Sequence, residues 1–389
     1  MNRKTILYLG SLDLPDGNAA ANRAWVIGKM LRDCGYEMVF IGAYRDFGIY
    51  APILKTKRKI DDFTSYINPR RDFIVSVRSI VRVVEAIGRE SLAAIIAVNY
   101  PAFPLNTLRQ YCMKNEIPLV ADCTEWYAAN QGNPFYRAFK WLDIQYRMRF
   151  VHRQIRHVIC ISRFLESYYK RHGCDVFYLP SIVDKHDPKW AVAPFERNDD
   201  TRRFVYAGTS IINDHLEYVL DAFYKIMQRG FVFEFHIFGM TKEYFLAHIS
   251  GYREKLNQLE NNVLFHGKIP HTEVIQFIKA SDFTVFIRER NRVTEAGFPT
   301  KFVESLACGI PPITTRTSDI ADYLENEKNG LLIENCDPSA IEATLLHAVG
   351  MDKQQLDQMK EKSRLSEQID YRYHLPLICQ YISHLSYSY

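Results

Sequence analysis

The feature that most constrains this chain is an alternation that runs through it twice. Short apolar runs alternate with longer amphipathic stretches along nearly the whole sequence. That is the pattern of a parallel sheet whose crossovers are helices. In the first half the runs Thr5–Gly10, Glu37–Gly42, Ala93–Asn99, Pro118–Ala121, His157–Ile161 and Val176–Leu179 read as strands. Helical stretches lie between them near 19–34, 72–89, 102–116, 135–155 and 163–172. Over residues 184–203 prolines and the charged run Glu196–Arg203 leave no apolar periodicity, so a linker is expected. The alternation then restarts with Phe204–Gly208, Phe233–Gly239, Val263–His266, Phe283–Arg288, Pro312–Thr315 and Leu331–Ile333.

The expected class is therefore α/β. Two Rossmann-like doubly wound domains, 1–183 and 204–370, would face each other across a cleft, because such sheets bind ligands at the carboxyl ends of their strands. Residues 371–389 continue an apolar, helix-like pattern and are expected to pack back on the first domain. Two domains also suit a chain of 389 residues, which exceeds what one core supports.

Composition excludes several classes. With 47% hydrophobic and 24% charged residues, wholesale disorder is ruled out. A net charge of +4 is too small for a nucleic-acid binder, so no nucleic-acid partner is expected. The eight cysteines (34, 112, 123, 160, 174, 308, 336, 379) include no CxxC pair. They read as neither a zinc site nor a disulfide framework, and a reducing cytoplasm fits them. The opening apolar run, Thr5–Leu9, is too short for a signal peptide, and no stretch is apolar enough to span a bilayer.

Chemistry concentrates around Gly297-Phe298-Pro299, a turn ahead of a helix expected from about Thr300 to Cys308 and ended by Gly309. With Thr300 at the N-cap, the first backbone N–H groups would be free to meet a phosphate. Lys301 adds a full positive charge, and Glu304, one turn on, would accept hydrogen bonds from ribose hydroxyls.

The run Glu295–Pro311 resembles the nucleotide-sugar motif of GT-B glycosyltransferases, above all the retaining family 4 (group 1) and a subgroup common in surface-polysaccharide clusters. That family has two glutamates eight residues apart around a Gly-Phe turn. Glu304 matches the second, the ribose ligand. The first falls on Ala296, and the nearest acid, Glu295, stands one position early. Gly297 and Phe298 would still offer backbone N–H groups. The resemblance covers nearly the whole chain, most specifically Asp282–Gly330, including Thr317-Ser318-Asp319 and Lys328–Leu332.

A second departure concerns the pyrophosphate. Family members carry an Arg just after the Gly that closes the second domain's first strand. Here Gly208–Asp214 has no cation, and buried phosphate charge needs compensation. Arg288 is the expected substitute, with Lys301 helping, whereas Arg290 and Arg292 read as surface-loop residues.

In the first half, Gly17 and Asn18 follow the first strand in a loop that the family uses to contact the donor. After the strand Pro118–Ala121 the family often places a His near the reacting sugar. Asp122 takes that position, Glu125 is the second candidate, and Trp126 could stack on a sugar, the alternative being a capped loop with a packed Trp. Catalytic roles are thus expected of Asp122, Glu125 and Arg288. Donor binding is expected of Gly17, Asn18, Gly208, Arg288, Gly297, Phe298, Thr300, Lys301 and Glu304.

From Phe135 to His157 six Lys or Arg (137, 140, 147, 149, 153, 156) stand against the single acid Asp143, interleaved with aromatics. Two readings stay open: adsorption to anionic lipid at the inner face of the membrane, or a solvated face of a packed helix.

The resemblance implies a hexosyltransferase-type enzyme that takes a nucleoside-diphosphate sugar to a glycan or lipid-linked acceptor in surface-polysaccharide synthesis, with retention of configuration. No Asp-x-Asp metal clamp is present, so no metal or cofactor is expected; helix dipole, Lys301 and Arg288 would carry the leaving charge. The alternatives are an inactive partner of the same fold and a nucleotide-sugar epimerase.

Overall fold

The computed structural model describes residues 3–43, 52–128, 133–191, 199–209 and 214–385. The chain forms two compact units, one of Met1–Ile182, Ala296–Phe298 and Asp370–Tyr389, the other of Val183–Glu295 and Pro299–Ile369.

The first unit is built on strands β1 (Thr5–Gly10), β2 (Glu37–Ala43), β3 (Arg58–Ile60), β4 (Phe63–Asn68), β5 (Leu92–Val98), β6 (Leu119–Cys123), β7 (His157–Cys160) and β8 (Asp175–Tyr178). They stand in the order β3-β4-β2-β1-β5-β6-β7-β8. All pairs are parallel except β3 on β4. Every residue of β1 is buried, which is why its sequence is one unbroken apolar run. The expected strands omitted β3 and β4. The reason is chemical: β4 carries Thr64, Ser65 and Asn68 into the interior, so it shows no apolar run. The helix expected at 72–89 is two, Arg70–Val75 and Arg78–Ile87.

The helix Tyr371–Ser383 lies on Ala19–Asp33 within this unit. Tyr371, Ile378 and Ile382 join Ile27, Met30 and Leu31 in one core, and Tyr371 Oη donates to Asp33 Oδ2 at 2.7 Å. Residues 386–389 of the expected tail lie outside the described residues. The cysteines need a correction. Cys34 and Cys379, 345 residues apart in sequence, form a disulfide across these two helices with Cα atoms 5.4 Å apart. No spacing rule could show a pair that only helix packing brings together.

The basic segment is also more complex than one packed helix. Pro134–Tyr146 is α-helical, Arg147–Val151 forms a π-turn and His152–Ile155 resumes the α-helix. Within Pro134–Tyr146 only Ile144 is buried. Phe135 is 89% exposed and Phe139 68%, with Trp141 and Leu142 also exposed. Arg147, counted above among the surface cations, is buried and donates from Nη1 to the Asn99 carbonyl at 3.1 Å.

The second unit holds β9 (Arg202–Ala207), β10 (Phe233–Phe238), β11 (Val263–Gly267), β12 (Phe283–Phe286), β13 (Pro312–Thr315) and β14 (Leu331–Ile333). All pairs are parallel, in the order β11-β10-β9-β12-β13-β14. In its core Phe204 stacks on Phe283 and Phe223 on Phe233, and Phe204 meets Phe223 edge-on. Much of the expected linker belongs to this unit: Trp190 is buried in the turn Pro188–Trp190, and β9 begins at Arg202. Residues 192–198 lie outside the described ones. Among the described residues no helix is long and apolar enough to cross a membrane.

Candidate active site

In the second sheet β9 and β12 are neighbours where the strand order reverses. A crevice opens at the carboxyl ends of two such strands, because their following loops run to opposite faces. Gly208 follows β9, Arg288 follows β12, and the helix Thr300–Ala307 starts nearby. Its N-cap is Pro299 rather than Thr300, which is the first helical residue. Among the described residues the backbone N–H groups of Thr300 and Lys301 meet no acceptor, as expected of a first helical turn.

A carboxylate absent from the expected set organises these groups. Asp214 is buried; its Oδ1 accepts from Arg288 Nε at 2.8 Å, and its Oδ2 accepts from Tyr206 Oη at 2.8 Å and from Lys301 Nζ. Burial pushes its carboxyl up, but Lys301 and Arg288 outweigh that and hold it far below the usual carboxylate range. Burial pulls the Lys301 ammonium below its ordinary value; Asp214 opposes the fall and Arg288 adds to it. The ammonium also lies 4.7 Å from the Tyr206 ring centre. A Cβ on Gly208 would sit 2.6 Å from Tyr206 Oη and 2.8 Å from Lys301 Nζ, so only glycine allows that approach. Residues 210–213 of this loop lie outside the described ones.

Arg288 is fixed from behind, its N–H donating to Thr315 Oγ1 at 2.8 Å and its carbonyl accepting from the same hydroxyl at 2.7 Å. Glu304 lies one turn along, its Oε1 3.2 Å from His271 Nε2. Glu295 is tied elsewhere: its Oε1 accepts from Ser318 N at 3.0 Å and pairs with the exposed Arg290. Among the described residues no cluster of three or more His, Cys, Asp or Glu is placed to hold a metal ion.

Residues 191–366 match the family of glycosyl transferases group 1. The chain carries a group 1 glycosyltransferase domain. Among curated proteins none matches the sequence. Solved structures similar to this glycosyltransferase include sucrose-phosphate synthase from Thermosynechococcus elongatus, with a TM-score of 0.69 at 13% identity over 98% of this chain and 99% of that one. Anabaena HepE in complex with UDP has a TM-score of 0.69 at 15% identity, over 98% and 100%. WaaG, a glycosyltransferase involved in lipopolysaccharide biosynthesis, has a TM-score of 0.62 at 12% identity, over 97% and 100%. The likeness shows the fold, which is GT-B.

The remaining expected residues of the glycosyltransferase belong to its first unit. Gly17 donates its N–H to the Asp13 carbonyl at 2.8 Å, and a Cβ there would strike the Asp13 carboxylate at 2.6 Å. Asn18 caps the helix Ala19–Asp33, its Oδ1 accepting from Ala21 N at 2.8 Å. Beside them lies a cavity of about 250 Å³ lined by Ser11, Asp13, Asn18, Arg58 and Ser65. Gly297 and Phe298 fall in the short segment that joins this unit, where the Phe298 carbonyl accepts from Ser181 Oγ at 3.1 Å.

Two expectations fail on geometry. Asp122 does not face a transfer centre: it is 0% exposed, at the end of β6, and saturated by Tyr8 Oη and by Arg23. Trp126 is buried edge-on against Tyr168, 4.9 Å between ring centres, so its faces are not open to a sugar. Glu125 beside it is half-buried. The signal for Asp214 was present only as an acid in a loop where the family has cations, and the one for His271 not at all.

Proposed function

We propose that this glycosyltransferase moves a hexose from a nucleoside-diphosphate sugar to a hydroxyl of a glycan or lipid-linked acceptor, in surface-polysaccharide synthesis. The observation that carries the reading is the meeting of Arg288, Lys301 and the unpaired N–H groups of Thr300 and Lys301 at the β9–β12 switch point, with Glu304 one turn on. Such a site suits a diphosphate and its ribose. That structurally similar HepE was solved in complexes with UDP and with UDP-glucose agrees with it. The bond from the anomeric carbon to the diphosphate oxygen breaks, its electron pair leaving on the diphosphate. A bond from the same carbon to the acceptor oxygen forms, and the hydroxyl proton passes to the diphosphate or to solvent. Arg288 and Lys301 stabilise the charge that grows on the leaving group, without a metal or other cofactor. Retention of configuration rests on the family resemblance, and the polar cavity beside Asn18 suits a hydroxyl-rich acceptor.

The same reading includes contact with an anionic lipid surface at the cytoplasmic face. A helix with one buried residue in thirteen owes little to packing, and Phe135, Phe139, Trp141 and Leu142 stand exposed beside Arg137 and Arg149. Apolar side chains for the headgroup boundary and cations for its charge are what an interfacial helix needs.

A thermal-shift screen of nucleotide sugars tests the donor, since a ligand at 100 times its Kd stabilises by about 2.7 kcal/mol. Release of nucleoside diphosphate from the donor so found, with turnover unchanged by a chelator, is the expected result. Absence of any shift would defeat the donor assignment, and strict dependence on magnesium or manganese would defeat the metal-free account. Epimerised donor without transfer would mark an epimerase. Co-sedimentation with vesicles containing anionic lipid, lost on Phe135→Ser with Phe139→Ser, tests the membrane contact.

A further inference from the structure

Asp214 poses a problem that the donor site does not by itself explain. A site for a diphosphate gains nothing obvious from a buried carboxylate at its centre, since the two anions repel. Yet Asp214 is deeply buried and holds both cations of that site.

We propose that Asp214 is a positioning residue for the donor diphosphate, gathering the Arg288 and Lys301 charges at one point and keeping both available to the ligand. This rests on the donor reading above. The manner of pairing supports it. Asp214 engages Arg288 through Nε alone, and among the described residues neither Nη of Arg288 has a hydrogen-bond partner. A purely structural pair would be expected to use the guanidinium fork in bidentate fashion, as Arg23 does on Asp122 through Nε and Nη2. Here the fork is left over. Lys301 likewise donates to Asp214 alone among the described residues, the rest of its surroundings being the Tyr206 and Phe286 rings, at 4.7 and 5.5 Å.

Two cations this close repel, and burial disfavours the charged ammonium. The groups that act on Lys301 are Asp214 and Glu304, which favour its protonation, and Arg288, which opposes it; the Tyr206 hydroxyl is occupied by Asp214. Asp214 makes the only one of these contacts that is a direct ion pair. Without it, Lys301 would lose its proton at lower pH and the Arg288 side chain would lose its anchor.

The test is titration of UDP, GDP, CDP, ADP and dTDP into the wild type and Asp214→Asn, between about pH 7 and about pH 9.5. Comparison at each pH cancels the ligand's own titration. Near pH 7 the two proteins should agree within about threefold, because loss of the repelling carboxylate offsets looser positioning. Toward pH 9.5 the variant should bind about tenfold more weakly, its alkaline limb moved down by about one pH unit. Parallel profiles, whatever their offset, would overturn the inference, because a structural defect has no reason to follow the protonation of Lys301. If the asparagine variant does not fold, Asp214→Ser offers the same comparison. Failure of all five nucleotides to bind the wild type would instead overturn the donor reading, and this inference with it.

Discussion

Arg23 and Asp122 form a bidentate pair in the interior of the first unit, Nε to Oδ2 and Nη2 to Oδ1 both 2.9 Å, with the carboxylate wholly buried. The guanidinium also donates to the carbonyls of Pro180 at 2.8 Å and Leu179 at 3.1 Å. One ion pair thus ties the helix Ala19–Asp33, the end of β6 and the segment after β8 together. Breaking it should cost stability first. Arg23→Ala is expected to lose about 3–5 kcal/mol, because it strands a buried charge. Replacing both partners, as Arg23→Met with Asp122→Leu, should recover part of that loss. Denaturant midpoints decide it: a single variant as stable as the wild type would return Asp122 to the candidates for catalysis.

Glu304 is held by His271 at 3.2 Å, at the start of the motif helix. A carboxylate that accepts from ribose hydroxyls contributes a charged hydrogen bond, so Glu304→Ala should weaken nucleoside-diphosphate binding by about tenfold or more, with an unchanged melting temperature. His271→Ala should follow in the same direction by about threefold, acting only through orientation. Calorimetric titration measures both. Unchanged affinity in Glu304→Ala would remove it from the ribose role.

The Cys34–Cys379 bridge closes a long loop and clips the helix Tyr371–Ser383 to Ala19–Asp33. Cys34→Ser should lower stability by about 2–4 kcal/mol under non-reducing purification. Reductant should bring the wild type to the variant's level and leave the variant unmoved. Deletion after Asp370 should cost more, since it uncovers Ile27, Met30 and Leu31. A truncated chain as stable as the whole would contradict this packing.

His152 gives the fold a pH dependence of definite sign. It is buried with Nδ1 2.8 Å from Tyr169 Oη, and burial, aided by Arg147, pushes its ring from 6.5 down to about 3. Between those values the unfolded chain takes up a proton that the folded chain refuses. Stability should therefore fall with falling pH, by up to about 1.4 kcal/mol per pH unit from this group. His152→Gln should flatten the slope by one proton's worth. Identical slopes would show that other groups carry the acid sensitivity.

The sequence by itself determined the class of the fold and the place of the motif. β1, β13 and β14 begin and end where the sequence reading placed them, and in β1, buried along its whole length, the run Ile6–Leu9 is apolar throughout. The helix that starts at Thr300 was legible for a similar reason: Pro299 ahead of it and Gly309 behind it are local backbone constraints. β4 escaped because polar Thr64, Ser65 and Asn68 take buried positions there and leave no apolar run to read. Only the tertiary structure decided what each polar residue faces. Asp122, at the end of β6, and Asp214, in the loop after β9, are both buried acids, yet one is locked by Arg23 and the other joins Arg288 to Lys301. The exposed aromatics of Pro134–Tyr146 and the Cys34–Cys379 bridge are of the same kind. Periodicity reports how often a chain returns to a buried face, but ion pairs and disulfides join residues remote in sequence, and their partners exist only once the chain has packed.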